Sequence, residues 1–253
     1  MRRPRIRVVS SPAMPPVSVI VPCFNEEEGI PSLLHRLEPL GELGWEVVFV
    51  DDGSRDASFG MLLSAARSRP WMRVVHHVAN RGVGAALRTG FGLARAPIVC
   101  SIDCDCTHPP ERLPELVRAI EDGADVVTAV PRWIDAAPTD RGAIRQLLSN
   151  RLSALYGGLV SRDVHTFTCL FRAYRREVLD RTSFRSSGFA AVTEIMVRSI
   201  WKGFQVRELP MQLAGRRFGV SKRRTGRAIV AHLRTLGLAA VLGAASRARS
   251  TLS

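Results

Sequence analysis

The chain has 253 residues, 46% of them hydrophobic, and a formal net charge of +13. That is enough for one large domain with a full core or two small ones, and no run of roughly 20 apolar residues offers a membrane span. The charge is uneven: no acid precedes Glu26 and none follows Glu208, so both ends are purely basic and suit anionic partners such as phosphates, acidic lipid headgroups or nucleic acid.

Residues 1–16 read as a disordered basic and Pro-rich lead. They carry Arg2, Arg3, Arg5 and Arg7 but no apolar signal core, which points to a cytoplasmic location. Val17–Val21 is the first buried strand, ended by Pro22. A helix is expected over Glu26–Leu40, with acids in its first turn where the helix dipole favours them. Glu46–Val50 is a second strand, followed by a helix over Asp56–Arg67. Met72–His76 is a third, followed by a small-residue helix over Val83–Arg95. Ile98–Ile102 is a fourth, followed by a helix over Pro110–Glu121 and a strand over Asp125–Val130. Such alternation predicts an α/β fold with a mostly parallel central sheet and helices on both faces.

The second half is less regular. Helices are expected over Arg141–Leu159, near Glu177 and over Ala191–Lys202, with extended chain over Asp163–Arg172 and a strand over Gln205–Leu213. A basic loop, Arg216–Arg224, leads to an apolar-rich helix over Arg227–Ala245. The economical division is one domain over 17–215, followed by a basic loop and amphipathic C-terminal helix over 216–253. That helix is too short to span a membrane, but it suits an interface beside anionic headgroups or a place against the core.

Residues 101–111, Ser-Ile-Asp-Cys-Asp-Cys-Thr-His-Pro-Pro-Glu, carry the most chemistry. Asp103 and Asp105 fall where an apolar strand opens into a loop, and carboxylates clustered there repel each other and resist desolvation. A divalent cation relieves that repulsion. Hard oxygen donors suit Mg²⁺ or Mn²⁺ shared with substrate phosphates, with Thr107 as a weaker oxygen donor beside them. The alternative is an ordinary acidic strand-to-loop junction. Ligands of parallel sheets bind at the carboxyl ends of the strands. Asn25-Glu26, Asp51-Asp52 and Asp103/Asp105 all fall at such ends, on three separate strands. The five cysteines, Cys23, Cys100, Cys104, Cys106 and Cys169, are odd in number and form no Cys-x-x-Cys pair. They read as reduced, buried small hydrophobes rather than a disulfide framework or a zinc site. Basic residues are not interleaved with aromatics, which make up 6% of the chain, so nucleic acid is not an expected partner.

Six segments in order resemble the family 2 glycosyltransferases, which have the GT-A nucleotide-diphospho-sugar transferase fold. They are Val-Pro-Cys-Phe-Asn-Glu-Glu-Glu at 21–28, Val-Asp-Asp-Gly-Ser at 50–54 with Asp56, and Asn-Arg-Gly-Val-Gly-Ala-Ala at 80–86. The others are Asp-Cys-Asp-Cys-Thr-His-Pro-Pro-Glu at 103–111, Phe-Arg-Ala-Tyr-Arg-Arg-Glu from Phe171, and Arg-Arg-Phe-Gly-Val-Ser-Lys from Arg216 to Lys222. The chain is most similar to the dolichyl-phosphate mannosyltransferase and polyprenyl-phosphate sugar transferase branch.

The resemblance implies a set of roles. Pro22, Phe24, Asn25 and Glu26 match the turn that contacts base and ribose, and Val50 and Asp52 a second nucleotide contact. Asp103, Cys104 and Asp105 match the Asp-x-Asp motif, whose second aspartate holds the metal that bridges the diphosphate. Arg132 matches a phosphate or acceptor contact, and Arg216 and Lys222 a basic loop that closes over the diphosphate. The implied reaction is inverting transfer of a sugar from a nucleoside-diphosphate donor, GDP-mannose or a UDP-hexose, to a polyprenyl phosphate at the cytoplasmic face of the membrane. Alternatives are a saccharide or other hydroxyl acceptor, or a catalytically silent sugar-nucleotide-binding module. A hydroxyl acceptor needs a general base, and Glu194, in Val-Thr-Glu, is the candidate. Three departures bear on substrate choice: Thr107 where many members have Gln, Cys104 and Cys106 in place of smaller or aliphatic neighbours, and Thr-Phe-Thr-Cys over 166–169 in place of Ser-Gly-Phe.

Overall fold

The computed structural model describes residues 16–133, 151–161, 163–213 and 235–237. Seven strands form one sheet: β1 (Val17–Cys23), β2 (Glu46–Asp51), β3 (Met72–His76), β4 (Ile98–Ser101), β5 (Val126–Trp133), β6 (Arg172–Arg175) and β7 (Val206–Leu213), in the order β3-β2-β1-β4-β6-β5-β7. β1 pairs in parallel with β2 and β4, and β2 with β3. β6 is antiparallel to both its neighbours, while β7 is parallel to β5. Among the described strands β6 alone therefore runs backwards, and the carboxyl ends of the other six share one edge.

The β-branched runs of β1 and β2 bury both faces, as a central parallel strand requires. Side chains alternate between two cores at the pleat's period of two. Val19, Val21, Val47 and Phe49 join one core, with α1 (Ile30–Glu42) and α4 (Leu113–Glu121) packed over it. Ile20, Val48 and Val50 join the other, under α3 (Val83–Leu93) and α7 (Ala190–Trp201). The remaining helices are α2 (Ser58–Ala66), α5 (151–159) and α6 (Arg176–Arg181). Among the described residues no helix is long and apolar enough to cross a membrane.

Most expected elements form, β3 to the residue, and the differences have local causes. α1 begins at Ile30 rather than Glu26, so no acid lies in its first turn. The Glu26 carbonyl accepts the N–H groups of Gly29 and Ile30, and Pro31 fixes the start of the helix. The expected 110–121 helix opens as a 3₁₀ turn, Pro110–Arg112, before α4. Extended chain over Asp163–Arg172 is not a strand; only Arg172–Arg175 pairs into the sheet. The basic lead over 1–15, the first part of the 141–159 helix and the 216–224 loop lie outside the described residues. Of the expected C-terminal helix only 235–237 are described, and they are helical.

α3 sits so low on the sheet that a side chain at Gly90 has no room: a Cβ there would stand 2.2 Å from Ile20 Cγ2 in β1. Gly90→Ala is expected to cost about 1–3 kcal/mol by overpacking. Urea unfolding followed by circular dichroism checks this; an unchanged midpoint would show that α3 does not rest on β1 as described.

Candidate active site

Two turns at the carboxyl edge clasp each other. After β1, the Asn25 N–H donates to Ser54 Oγ (2.8 Å) and the Glu26 N–H to Ser58 Oγ (2.8 Å). In return the Arg55 N–H donates to Asn25 Oδ1 (2.7 Å) and the Ala57 N–H to a Glu27 oxygen (2.8 Å). Asn25 adopts φ +51, a left-handed conformation that asparagine tolerates better than most residues. This clasp leaves Pro22, Phe24, Asn25 and Glu26 half-buried along the edge.

β2 ends in two buried carboxylates, each paired with a histidine from the end of β3. Asp51 meets His76 Nδ1 at 2.7 Å, and Asp52 meets His77 Nδ1 at 2.7 Å. Asp52 also accepts the N–H groups of Arg81 (3.0 Å) and Gly82 (2.7 Å), so one carboxylate ties β2, β3 and the start of α3 together. The Val50 side chain lies wholly in the core. The family resemblance matched Val50 and Asp52 to a second nucleotide contact; here the Val50 side chain is buried, and Asp52 accepts protein donors at the same edge.

The glycine-rich start of α3 does not form an open phosphate cradle. The Ser187 carbonyl takes the N–H groups of Gly84 (2.6 Å) and Ala85 (3.3 Å). Any Cβ at Gly82 or Gly84 would stand 2.5 or 2.4 Å from a carbonyl oxygen of Ser187 or Ser186. Both glycines are required because the 184–188 segment lies against this helix end. Glu194 holds that segment from α7. It is 4% exposed and accepts the N–H groups of Arg185 (3.2 Å) and Ser186 (2.9 Å) and the guanidinium of Arg198 (2.9 Å). Burial alone would raise its pKa, but these donors outweigh it and leave it lowered. A carboxylate so engaged is a poor proton acceptor, which corrects the general-base assignment: Glu194 positions a loop.

The acidic couplet lies beyond β4. Asp103 and Asp105 are half-buried, while Cys104 and Cys106 turn inward into the core. The Thr107 N–H donates to Asp105 Oδ1 (3.0 Å), and the half-buried Thr107 follows it. The Cys104 thiol lies beside that of Cys23 at the end of β1. Cys106, at φ +55, approaches Arg36, whose guanidinium grips Glu111 in a two-pronged pair (2.7 Å each) just after the loop. His108 stacks on Phe171 and sets Nε2 3.5 Å from Cys169 Sγ. All five cysteines are buried and unbridged, as expected. Among the described residues no three His, Cys, Asp or Glu side chains converge to cage a metal unaided. With the thiols turned away, the donors the loop offers are carboxylate oxygens. That set fits a Mg²⁺ or Mn²⁺ ion completed by water and substrate phosphate, and disfavours zinc.

Arg132 stands near the carboxyl end of β5, paired in register with Gln212, on the same edge as the acids; its side chain lies outside the described residues, as do Arg216 and Lys222. Sequence reasoning missed Ser54, Ser58, His77 and the 184–188 segment. Only the serines of Asp-Asp-Gly-Ser and its neighbourhood offered a signal, as turn-forming residues.

The mostly parallel sheet, with helices on both faces, is that of the GT-A class of nucleotide-sugar transferase fold. Solved structures of glucosyl-3-phosphoglycerate synthase from Mycobacterium tuberculosis share it. The form with Mn²⁺, UDP-glucose and phosphoglyceric acid gives a TM-score of 0.68 at 21% identity, over 87% of this chain and 79% of that one. The form with Mg²⁺ and UDP gives the same values. Residues 18–182 match the profile of glycosyl transferase family 2, and the chain belongs to that family. Similar curated proteins include the undecaprenyl-phosphate 4-deoxy-4-formamido-L-arabinose transferases of Salmonella paratyphi B and Salmonella newport. Each is 30% identical over 215 residues, covering 81% of this chain and 62% of the relative. The chain thus spans about three fifths of the length of these relatives.

Glu194→Gln keeps the shape of the clamp but removes its charge. It is expected to lower stability at neutral pH by about 1–3 kcal/mol. Because the folded-state pKa of Glu194 is lowered, its contribution is present above the ordinary carboxylate range and fades as pH falls through the folded value. Urea unfolding at neutral and acid pH should show the two proteins converging in acid. A gap that persists at low pH would mean the charge of Glu194 does not hold the loop.

Proposed function

We propose that the protein is an inverting, metal-dependent glycosyltransferase that moves a sugar from a nucleoside-diphosphate donor to a polyprenyl phosphate. The observation that carries this reading is the convergence of the β1, β2 and β4 ends, which puts the half-buried Asp103 and Asp105 beside the Pro22–Glu26 turn. The printed names of the curated relatives, with undecaprenyl phosphate as acceptor, support the choice of acceptor.

The Pro22–Glu26 turn receives the nucleoside. Phe24 offers a face to the base, and Asn25 and Glu26 offer polar groups to the ribose. Asp103 and Asp105 hold a Mg²⁺ or Mn²⁺ ion, which when bound neutralises the charge developing on the departing nucleoside diphosphate. Thr107 serves Asp105 through its main chain. Attack at the anomeric carbon opposite the leaving group inverts configuration. A lipid phosphate is already anionic at neutral pH, its second pKa being about 6. No general base is then needed, which agrees with the commitment of Glu194 to main-chain donors. Arg132, Arg216 and Lys222 supply positive charge to the phosphates, and the basic 216–253 segment contacts the cytoplasmic face of the membrane peripherally.

The test is nucleoside diphosphate release from a panel of GDP- and UDP-sugars, with Mn²⁺ and with or without a short polyprenyl phosphate. Release should require both the ion and the lipid phosphate. Asp105→Ala should cut it by about a hundredfold or more, the scale of losing a group that stabilises developing charge. Release that continues undiminished in a chelator would refute the metal role, and release supported by a sugar but not by the lipid phosphate would move the reading to a saccharide acceptor.

A further inference from the structure

One side chain ties the loop of the acidic couplet to the body of the fold. His108 follows Thr107 in that loop, three residues beyond Asp105. Its ring stacks on Phe171, with centroids 5.1 Å apart and planes at 13°, and sets Nε2 3.5 Å from Cys169 Sγ. The Cys169 S–H donates to the Phe171 carbonyl oxygen (3.8 Å), which leaves the sulfur to accept the Nε2–H of His108. His108 Nδ1 is buried and has no hydrogen-bond partner among the described residues. A buried nitrogen left unpaired is a cost. Stacking and the thiol, rather than a bond within the loop, therefore hold the ring in place.

The chain beneath His108 is firmly held. β6 pairs with β4 through Ser101↔Arg172, which places 169–171 alongside the point where the couplet's loop leaves the sheet. Ser101 Oγ donates to the Leu170 carbonyl there (2.6 Å). The wholly buried Arg172 guanidinium binds the carbonyls of Phe167 (2.8 Å) and Val192 (2.6 Å), and Glu208 of β7 accepts the Thr166 N–H (2.6 Å). The 166–171 segment, which carries the Thr-Phe-Thr-Cys departure from the family pattern, is thus a shelf fastened to β4, β7 and α7. Cys169 and Phe171 lie in the same α1/α4 core as Cys104 and Cys106. The shelf therefore supports the loop from its thiol side.

We propose that His108 and Cys169 form a positioning pair, whose contact seats the couplet's loop on the shelf and so aims Asp105 at the cation. This rests on the reading of the protein as a metal-dependent transferase and adds a support to its metal site. The link to Asp105 is short. The Thr107 N–H donates to Asp105 Oδ1 (3.0 Å), and His108 is the next residue, so a displaced imidazole carries that turn with it. The loop's other tie, Arg36 on Glu111, lies beyond Pro109 and Pro110 and is partly exposed, and ion pairs of that kind contribute little in water. Mg²⁺ demands near-octahedral geometry, and a site with few protein ligands depends on how its carboxylates are aimed. The pair acts through the loop, and neither side chain is assigned to the ion.

Mn²⁺ titration of the full chain with GDP or UDP present, read from the electron paramagnetic resonance of the free ion, tests this without turnover. His108→Ala and Cys169→Ala should each weaken Mn²⁺ binding about tenfold, the scale of losing a support behind a metal ligand. The double variant should bind no worse than the weaker single one, because both changes break one contact. Cys169→Ser keeps an acceptor for the Nε2–H and should restore most of the affinity. Cys169→Val fills the space without an acceptor and should match Cys169→Ala, which keeps the test open if the truncated chain folds poorly. Val178→Ala, a core truncation in α6 at the opposite edge of the sheet, weakens the fold away from the loop and should bind Mn²⁺ like the unaltered protein. Unchanged affinity in the folded His108→Ala and Cys169→Ala proteins would overturn the pair. So would losses that multiply in the double variant, or an equal loss in Val178→Ala. Absence of Mn²⁺ binding by the unaltered protein would overturn the metal-dependent reading itself, and the pair with it.

Discussion

Gathering carboxylates at the ends of adjacent parallel strands is unfavourable unless each meets compensating charge or hydrogen-bond donors. Asp51 and Asp52 are compensated by the protein itself, through His76, His77 and main-chain N–H groups. Asp103 and Asp105, one strand beyond β1, remain half-buried on a loop whose thiols face inward. The first pair is buried inside the fold, and the second lies partly open at its edge. This difference in burial, rather than the presence of acids as such, singles out the loop after β4.

The same contrast explains how the site is held. The turns after β1 and β2 are braced by side chains some 30 residues apart in sequence, with Asn25 and Glu27 reaching one way and Ser54 and Ser58 the other. Asp52 links three elements, and Glu194 with Arg88 extends that linkage through the 184–188 segment to α7. The β1, β2 and β3 ends, the start of α3 and the 184–188 segment therefore share one hydrogen-bonded frame. A frame of this kind fixes the reacting groups before substrate arrives, which is what a displacement reaction driven by positioning and charge requires.

Much of this was legible in the chain. The hydrophobic runs of β1 to β4 are continuous because both sheet faces are covered, and turn residues close each one, so strand positions and the shared carboxyl edge followed. The inward turn of the cysteines also followed from their chemistry. The role of Glu194 did not. A carboxylate in a helix reads the same whether it faces solvent, substrate or a loop, and only the long-range approach of Arg185 and Ser186 decides. The start of α1 was missed for a related reason: Glu26 and Glu27 look like first-turn acids, but the β2–α2 turn captures their main-chain N–H groups before the helix begins. The need for glycine at 82 and 84 comes from the carbonyls of Ser187 and Ser186, about a hundred residues away, which no local pattern reveals.

The proposed reaction needs a cation held by the acidic couplet against the donor's diphosphate. Its most direct measurement is a crystal of the protein grown with Mn²⁺ and a nucleoside diphosphate, with anomalous diffraction recorded on both sides of the manganese absorption edge. One anomalous peak within coordination distance of Asp105 and of a phosphate oxygen, with the base resting on the Pro22–Glu26 turn, is the predicted result. Bound nucleotide whose diphosphate lies away from Asp103 and Asp105, with no peak between them, would contradict it.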